Sequence, residues 1–313
     1  MPDPVQSGSI ESSASPLAPG LYLVATPIGN LGDITLRALD VLRRANRIAC
    51  EDTRQTQKLL NHFDIKTPTI SCHEHNERGR AAEIIAAIRA GSAIAIVSDA
   101  GMPGISDPGS LLVTEAIAAG VPVIPIPGAN AALSALVASG LPTGEFHFIG
   151  FPPERAGARR SRLEELAAMP RISAQTLIFY EAPHRIVATL ADLESVWSPD
   201  LRIVLARELT KLHEEFLRGT VAEIRKEIAA RDRVRGEFVL LIEAPASTGA
   251  PGLASETREG AAKTRESIAN RIAGLQSDCG IDEKEALKRL AREAGVSKSE
   301  LYRELQRERA RRK

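Results

Sequence analysis

The stretch Ser98-Asp99-Ala100-Gly101-Met102-Pro103-Gly104-Ile105-Ser106-Asp107-Pro108-Gly109 decides how the chain folds. Immediately before it, Ala93-Ile94-Ala95-Ile96-Val97 is a short apolar run rich in β-branched residues, the pattern of a parallel strand buried on both faces. After it, Ser110 to Ala119 reads as a helix stopped by Gly120. A strand therefore runs into a turn-rich loop and then a helix, and open α/β sheets bind ligands at such carboxyl ends. Three glycines and two prolines set the loop backbone and let a flat ligand come close. The run exceeds the roughly 2–6 residues that a strand-to-helix connection needs. Asp99 closes the strand, where its carboxylate can accept hydrogen bonds from an amine or hydroxyl. The stretch has neither G-x-x-x-x-G-K-[ST] nor G-x-G-x-x-G, so it is not a P-loop and lacks the dinucleotide fingerprint.

The same alternation continues on both sides. Leu21 to Ala25 is a strand, and Thr26-Pro27-Ile28-Gly29-Asn30-Leu31-Gly32-Asp33 is a second turn-rich loop. Asp33 is expected to cap a helix carrying Leu36, Leu39 and Leu42 on one face. Arg47 to Cys50 is a strand ending in Glu51-Asp52-Thr53-Arg54. Thr69 to Ser71 leads through His73-Glu74-His75-Asn76-Glu77 to a helix expected from Gly79 to Ala90. Val121 to Ile126 closes on Pro127-Gly128-Ala129-Asn130 and an Ala/Leu helix. Strands alternating with helices predict a parallel sheet covered on both faces. Leu141 to Gly144 reads as a hinge, followed by a second α/β unit with strands at Phe146–Gly150, Gln175–Tyr180, Leu201–Ala206 and Glu237–Glu243. The fold class expected is α/β, two consecutive αβα domains (20–143 and 144–244) with a cleft between them. A Ser/Pro/Ala-rich tail (1–19) precedes them. A flexible linker (245–262) and a small all-α helix-turn-helix module (263–313) follow.

Composition narrows the function classes. The 313 residues carry no net charge and are 43% hydrophobic and 26% charged, ordinary for a globular chain. No apolar run is long enough to span a membrane. Met1 to Pro19 lacks the basic and apolar segments of a secretory signal. Three cysteines stand far apart without a C-x-x-C, which suits a reducing cytoplasm. From Lys263 onward there are 14 Lys/Arg against 9 Asp/Glu, and that positive end favours nucleic-acid contact over a plain packing module. His73 and His75 lie near Cys72, but no other His/Cys pair has zinc-like spacing, so no metal is expected. Glu51 and Asp52 suit a helix start, which leaves Arg54 unexplained. No G-x-S-x-G elbow or Ser-His-Asp order supports a covalent hydrolase.

In order along the chain, Ala25-Thr26-Pro27-Ile28-Gly29-Asn30-Leu31, Glu51-Asp52-Thr53-Arg54, Ser98-Asp99-Ala100-Gly101 and Ile105-Ser106-Asp107-Pro108-Gly109 are followed by Pro127-Gly128, Phe179-Tyr180-Glu181 and Ala206-Arg207-Glu208-Leu209-Thr210-Lys211. Together they resemble the tetrapyrrole-methylase-like superfamily, and more closely its branch of small-subunit ribosomal RNA (cytidine-2′-O)-methyltransferases. The resemblance spans Leu21 to Glu243; Met102 departs from it, standing where the family usually has Thr. It implies S-adenosylmethionine as methyl donor, held in the interdomain cleft of a cytoplasmic homodimer. The donor would rest on Thr26, Pro27, Ser98, Asp99, Ala100, Gly101, Pro127 and Gly128, with Tyr180 and Leu209 closing over it. The acceptor would be the ribose 2′-hydroxyl of a decoding-site cytidine, in free RNA or in the assembled small subunit.

A ribose hydroxyl is a poor nucleophile, so a base is expected nearby. The candidates are Glu51, Asp52, His75, Asp99 and Glu181, among which the sequence does not choose. The cations expected on RNA are Arg54, Arg155, Arg159, Arg160, Arg185, Arg207 and Lys211, with Arg303 and Arg307 in the tail. Two other readings compete. A tetrapyrrole-ring methylase would need neither the basic tail nor the arginine-rich segment from Arg155 to Arg162. A ligand-sensing nucleic-acid-binding regulator fits poorly with the modest charge of the tail and the many charged strand ends.

Overall fold

The computed structural model describes residues 15–73, 76–107, 109–246 and 282–293. The chain divides into two compact units, Met1–Ala254 and Ser255–Lys313. The first unit holds two five-stranded sheets. Its first lobe runs β1 (Gly20–Val24), α1 (Leu36–Arg44), β2 (Arg47–Cys50), α2 (Thr53–His62), β3 (Thr69–Ser71), α3 (Glu77–Arg89), β4 (Ala93–Val97), α4 (Ser110–Ala118), β5 (Val123–Ile126) and α5 (Ala131–Ser139). The strands are all parallel, in the order β3-β2-β4-β1-β5.

Strand alternation sets the two layers around this sheet. Ala93, Ala95 and Val97 of β4 share one core with Leu42 of α1 and Leu60 of α2. Ile94 and Ile96 of the same strand share the opposite core with Ile84 of α3 and Leu112 of α4. Both faces are therefore buried, which is why β4 is apolar at every position. The helices that follow the neighbouring strands β1 and β4 lie on opposite faces. That divergence opens a crevice beyond the strand ends, the place where doubly wound sheets bind ligands.

The second lobe comprises β6 (Phe146–Gly150), α6 (Ala156–Ala168), β7 (Gln175–Glu181), α7 (Ile186–Val196), β8 (Arg202–Arg207), β9 (Glu215–Thr220), α8 (Val221–Ala229) and β10 (Phe238–Ala244). Its sheet order is β6-β7-β10-β8-β9, parallel only between β6 and β7. Leu177, Leu205 and Leu240 face α6, α7 and α8. Ile178, Val204 and Leu241 point the other way, onto Ala132, Ala135 and Leu136 of α5. The last helix before the expected boundary at 143 thus completes the second lobe's three layers and joins the lobes. Arg218 fastens this joint by donating to the Ala138 and Ser139 carbonyls at 2.7 and 3.3 Å.

Two local details differ from the sequence expectation. Asp33 does not cap α1; it lies in a short 3-10 turn, Leu31–Asp33, capped by Asn30. The α1 cap is Thr35, whose hydroxyl accepts the Ala38 N–H at 3.1 Å. The third helix starts at Glu77 rather than Gly79. The second unit contains α9 (Glu283–Glu293), with the Asp282 carboxylate accepting the Glu285 N–H at 2.7 Å. Ala286, Leu287 and Leu290 are its buried residues. His75, Pro108, Arg303, Arg307, most of the linker and the rest of the expected helical module lie outside the described residues.

Candidate active site

A cavity of about 400 Å³ lies at the carboxyl ends of β1 and β4, between the two sheets. That is the size of a pocket for a small ligand or cofactor. Its floor is built by joining two loops. Thr26 and Gly101 exchange both backbone hydrogen bonds, at 2.9 and 3.0 Å, as an isolated antiparallel bridge. The buried Thr26 hydroxyl donates to the Ser98 carbonyl at 3.0 Å, and the Ser98 hydroxyl donates to the Gly101 carbonyl at 3.2 Å. Gly101 adopts φ +82°, a left-handed conformation that favours glycine. Gly128 packs so tightly that an added Cβ would sit 2.7 Å from the Ala25 Cβ. Of the residues expected to hold a donor, Asp99, Ala100, Gly101, Tyr180 and Leu209 line the cavity. Thr26 and Ser98 brace it from behind.

Beyond the floor the loop runs through Ser106, which has φ +57°, unusual for a side chain with a Cβ. It then enters α4, whose start is held from another helix. The Glu77 carboxylate on α3 accepts the N–H groups of Gly109 and Leu112, each at 3.0 Å. This buried acid satisfies donors that a helix start leaves open and that Gly109, lacking a side chain, cannot.

Four carboxylates meet at these strand ends. Burial pushes Asp99 above the usual carboxylate range, a backbone hydrogen bond from Asp52 opposes the shift, and the Asp52 charge adds to it. Asp107 is pushed up to about 6 by burial and by the charge of Glu51, partly offset by the Ser98 hydroxyl, with Asp99 adding to the rise. Asp107 lines the cavity together with Asp99. It was not among the expected bases, although it sits in the motif that defines the loop. Position within a strand-end loop was the available signal, and the burial that raises its pKa is visible only in three dimensions.

The other expected bases take different places. Asp52 caps α2, its carboxylate accepting the Arg54 N–H at 2.8 Å. Glu51 is exposed and reaches the site through its field on Asp107. Glu181, also expected as a base, lines the cavity, and its carboxylate is already partnered. Its fully buried carboxylate accepts from Thr189 Oγ1 at 2.6 Å and from the Ala182 N–H at 2.8 Å, and pairs with Arg185 Nε at 2.9 Å. These contacts tie this part of the cavity lining to α7.

The second lobe supplies an aromatic and apolar wall. Phe148 and Phe151 meet the Tyr180 ring edge-on, with centroids 5.0 and 5.6 Å away. Phe151, Ile28, Met102 and Val239 add apolar surface. Leu209 enters the cavity from a tight turn in which Glu208 and Thr210 both have positive φ, +52° and +64°. Lys211 closes that turn, held by Glu208 and Glu237 at 2.9 Å each. Its stem lies over Gly29 of the first lobe, where an added Cβ would come within 2.4 Å.

Several cations expected on RNA are already engaged. Arg159 is a correction: it is 4% exposed and its Nε donates to Asp192 at 2.8 Å, so it packs the second lobe. Arg185 is held between Glu181 and the Pro152 carbonyl. Arg207 donates to the Arg235 carbonyl at 2.7 Å and pairs with Glu215 at 3.4 Å. Arg160 shares Asp192 at 3.1 Å but remains half exposed. Arg54 and Arg155 stay exposed, and no ion pair engages their side chains among the described residues.

Comparison with known proteins agrees with this architecture. Residues 20–225 match the family described as Tetrapyrrole (Corrin/Porphyrin) Methylases. Ribosomal RNA small subunit methyltransferase I of Halalkalibacterium halodurans is 48% identical over 282 residues, covering 90% of this chain and 93% of the relative. The Bacillus subtilis protein of the same name is 43% identical over 282 residues, covering 90% and 92%. Among solved structures, the cobalamin biosynthetic enzyme cobalt precorrin-4 methyltransferase superposes with a TM-score of 0.51 at 17% identity, covering 71% of this chain and 94% of that one. That last likeness speaks for the fold. The switch-point cavity, the ordered motifs around it and the near full-length similarity place the chain in the tetrapyrrole methylase family, in the group of ribosomal RNA small subunit methyltransferase I.

Proposed function

We infer that the protein transfers a methyl group from S-adenosylmethionine to small-subunit ribosomal RNA, and that the acceptor is the ribose 2′-hydroxyl of a decoding-region cytidine. The observation that carries the ribosomal reading is 48% identity across 90% of the chain to a protein named for that substrate. The residues present fit the donor. An apolar and aromatic wall at Ile28, Met102, Phe151 and Tyr180 suits a nucleoside. The glycine-lined floor admits close backbone approach, and the adjacent carboxylates suit a sulfonium cation. When bound, this donor supplies an electrophilic methyl group on positively charged sulfur.

The protein's own contribution is to align the acceptor, exclude water and remove one proton. The Thr26–Gly101 bridge and the Leu209 turn fix opposite walls of the cavity, which sets the approach direction. Asp107 is the base best placed for this: it lines the cavity, and a value near 6 leaves it ionised at neutral pH yet able to hold a proton. With a donor bound, the methyl carbon–sulfur bond would break as the acceptor oxygen–carbon bond formed, the electron pair leaving with the neutral thioether, and the Asp107 carboxylate would take the acceptor's proton. Glu51 and Asp99 beside it raise its affinity for that proton. Homodimerisation and a cytoplasmic setting are part of this proposal. Incubating isolated small ribosomal subunits with methyl-labelled donor tests it, with label expected in the RNA. Label that enters a tetrapyrrole and not the RNA would overturn it.

A further inference from the structure

In the first lobe, each of the first three strands passes its chain to a helix whose second residue is an arginine: Arg37 in α1, Arg54 in α2 and Arg78 in α3. All three are exposed, and none has an ion pair or side-chain hydrogen bond among the described residues. The strands are parallel, so the three helix starts lie at the carboxyl end of one sheet, the end that carries the cavity.

A helix's first turn is where a cation is least welcome, because the unpaired N–H groups and the macrodipole present positive charge there. Acids would be the ordinary choice, yet α1 and α2 carry none within the first turn. Asp52 caps α2, and Glu77 points inward to cap α4. The arginines therefore stabilise neither their own helices nor an ion pair. Many of the other cations do: Arg159, Arg185, Arg207, Lys211 and Arg231 are all matched to carboxylates. The cavity end is also rich in carboxylates, which would repel an approaching polyanion unless cations stood beside them.

We propose that Arg37, Arg54 and Arg78 form a collar that grips the phosphate backbone of the RNA acceptor at the cavity mouth. It rests on the ribosomal RNA reading and goes beyond it by naming the surface. Along α2 the collar continues into an open polar groove beside β3, lined by Gln57, Lys58, Asn61 and Thr69. Arg54, in the first turn of α2, joins the groove to the carboxylate end.

The test uses the full-length protein and single-stranded RNA, both a homopolymer and a decoding-region oligonucleotide. Binding is measured across a salt series for the wild type, each single Arg→Gln variant, the triple variant and the control Arg47→Gln. Arg47 is also exposed and unpaired, but it opens β2 at the opposite end of the sheet. Neutralising one collar arginine should make the slope of log K against log salt shallower by about 0.7, and the triple variant by about 2, on both RNAs. Donor affinity by calorimetry should hold, and melting temperature should hold or rise, because the helix starts lose a misplaced charge. Wild-type binding with an unchanged slope in the triple variant, or an equal effect from Arg47→Gln, overturns the collar alone. A wild type with no salt-dependent RNA binding overturns the collar together with the ribosomal reading.

Discussion

Thr26 and Gly101 are bound to each other by two backbone hydrogen bonds, although they stand in loops that follow different strands. The bridge turns two flexible connections into one rigid ledge at the sheet's switch point. Everything the cavity does to position a ligand depends on that ledge. Gly101→Ala tests it. Space exists for the methyl group, whose nearest neighbours would be 3.5 Å away, so the cost comes from φ +82°. Stability should fall by about 1–2 kcal/mol. Donor affinity by calorimetry should fall at least tenfold, because the backbone relieves its strain by moving the ledge. Unchanged affinity in a folded variant would show that the ledge does not hold the donor.

Asp107→Asn separates chemistry from stability. Removing a general base should lower turnover by about 10²- to 10⁴-fold with donor affinity retained. The wild-type rate should fall as pH drops through about 6, following protonation of Asp107, and the variant should lose that limb. The stability effect has the opposite sense. Because the folded value lies above the unfolded one, the native state holds this proton more tightly. The protein's stability therefore declines as pH rises from about 4 to about 6, when the half-buried carboxylate ionises. Asp107→Asn should therefore melt at least as high as the wild type above pH 7. A variant that melts early and retains full activity per folded molecule would assign Asp107 a structural role.

The Arg159–Asp192 pair is expected to stabilise the second lobe without touching RNA. Both side chains are buried, so Arg159→Ala leaves a carboxylate without its main partner. Loss of about 3–5 kcal/mol is expected in chemical denaturation. The salt dependence of RNA binding should not change in conditions where the variant remains folded. A shallower slope would return Arg159 to the RNA surface.

What the sequence disclosed follows from how locally each feature is encoded. Strand β4 was legible because burial on both faces makes every residue from Ala93 to Val97 apolar. Strand β9, Glu215 to Thr220, escaped notice because it is a sheet edge, only partly buried and carrying Glu215 and Arg218. The cap of α1 was misplaced by two residues because Asn30, Asp33 and Thr35 are all competent caps, and only the intervening 3-10 turn selects Thr35. The partners of Arg159 and Glu181 were not legible for a different reason. Asp192 lies 33 positions from Arg159, and the Thr189 hydroxyl bound to Glu181 reaches it across the start of α7. A charged residue's partner is a tertiary fact. Asp107 was printed in the deciding loop, but its burial and the Glu51 charge beside it come from the packing of β2 against β4.

Methyl transfer to a ribose hydroxyl of small-subunit ribosomal RNA can be read by nucleoside mass spectrometry. Small subunits from a strain lacking the protein are incubated with the purified enzyme and donor. The RNA is then cut to oligonucleotides and nucleosides. The expected result is a gain of about 14 daltons confined to one decoding-region fragment, recovered as 2′-O-methylcytidine and formed far more slowly with Asp107→Asn. A methyl group recovered on a base, or no gain in the RNA at all, would contradict it.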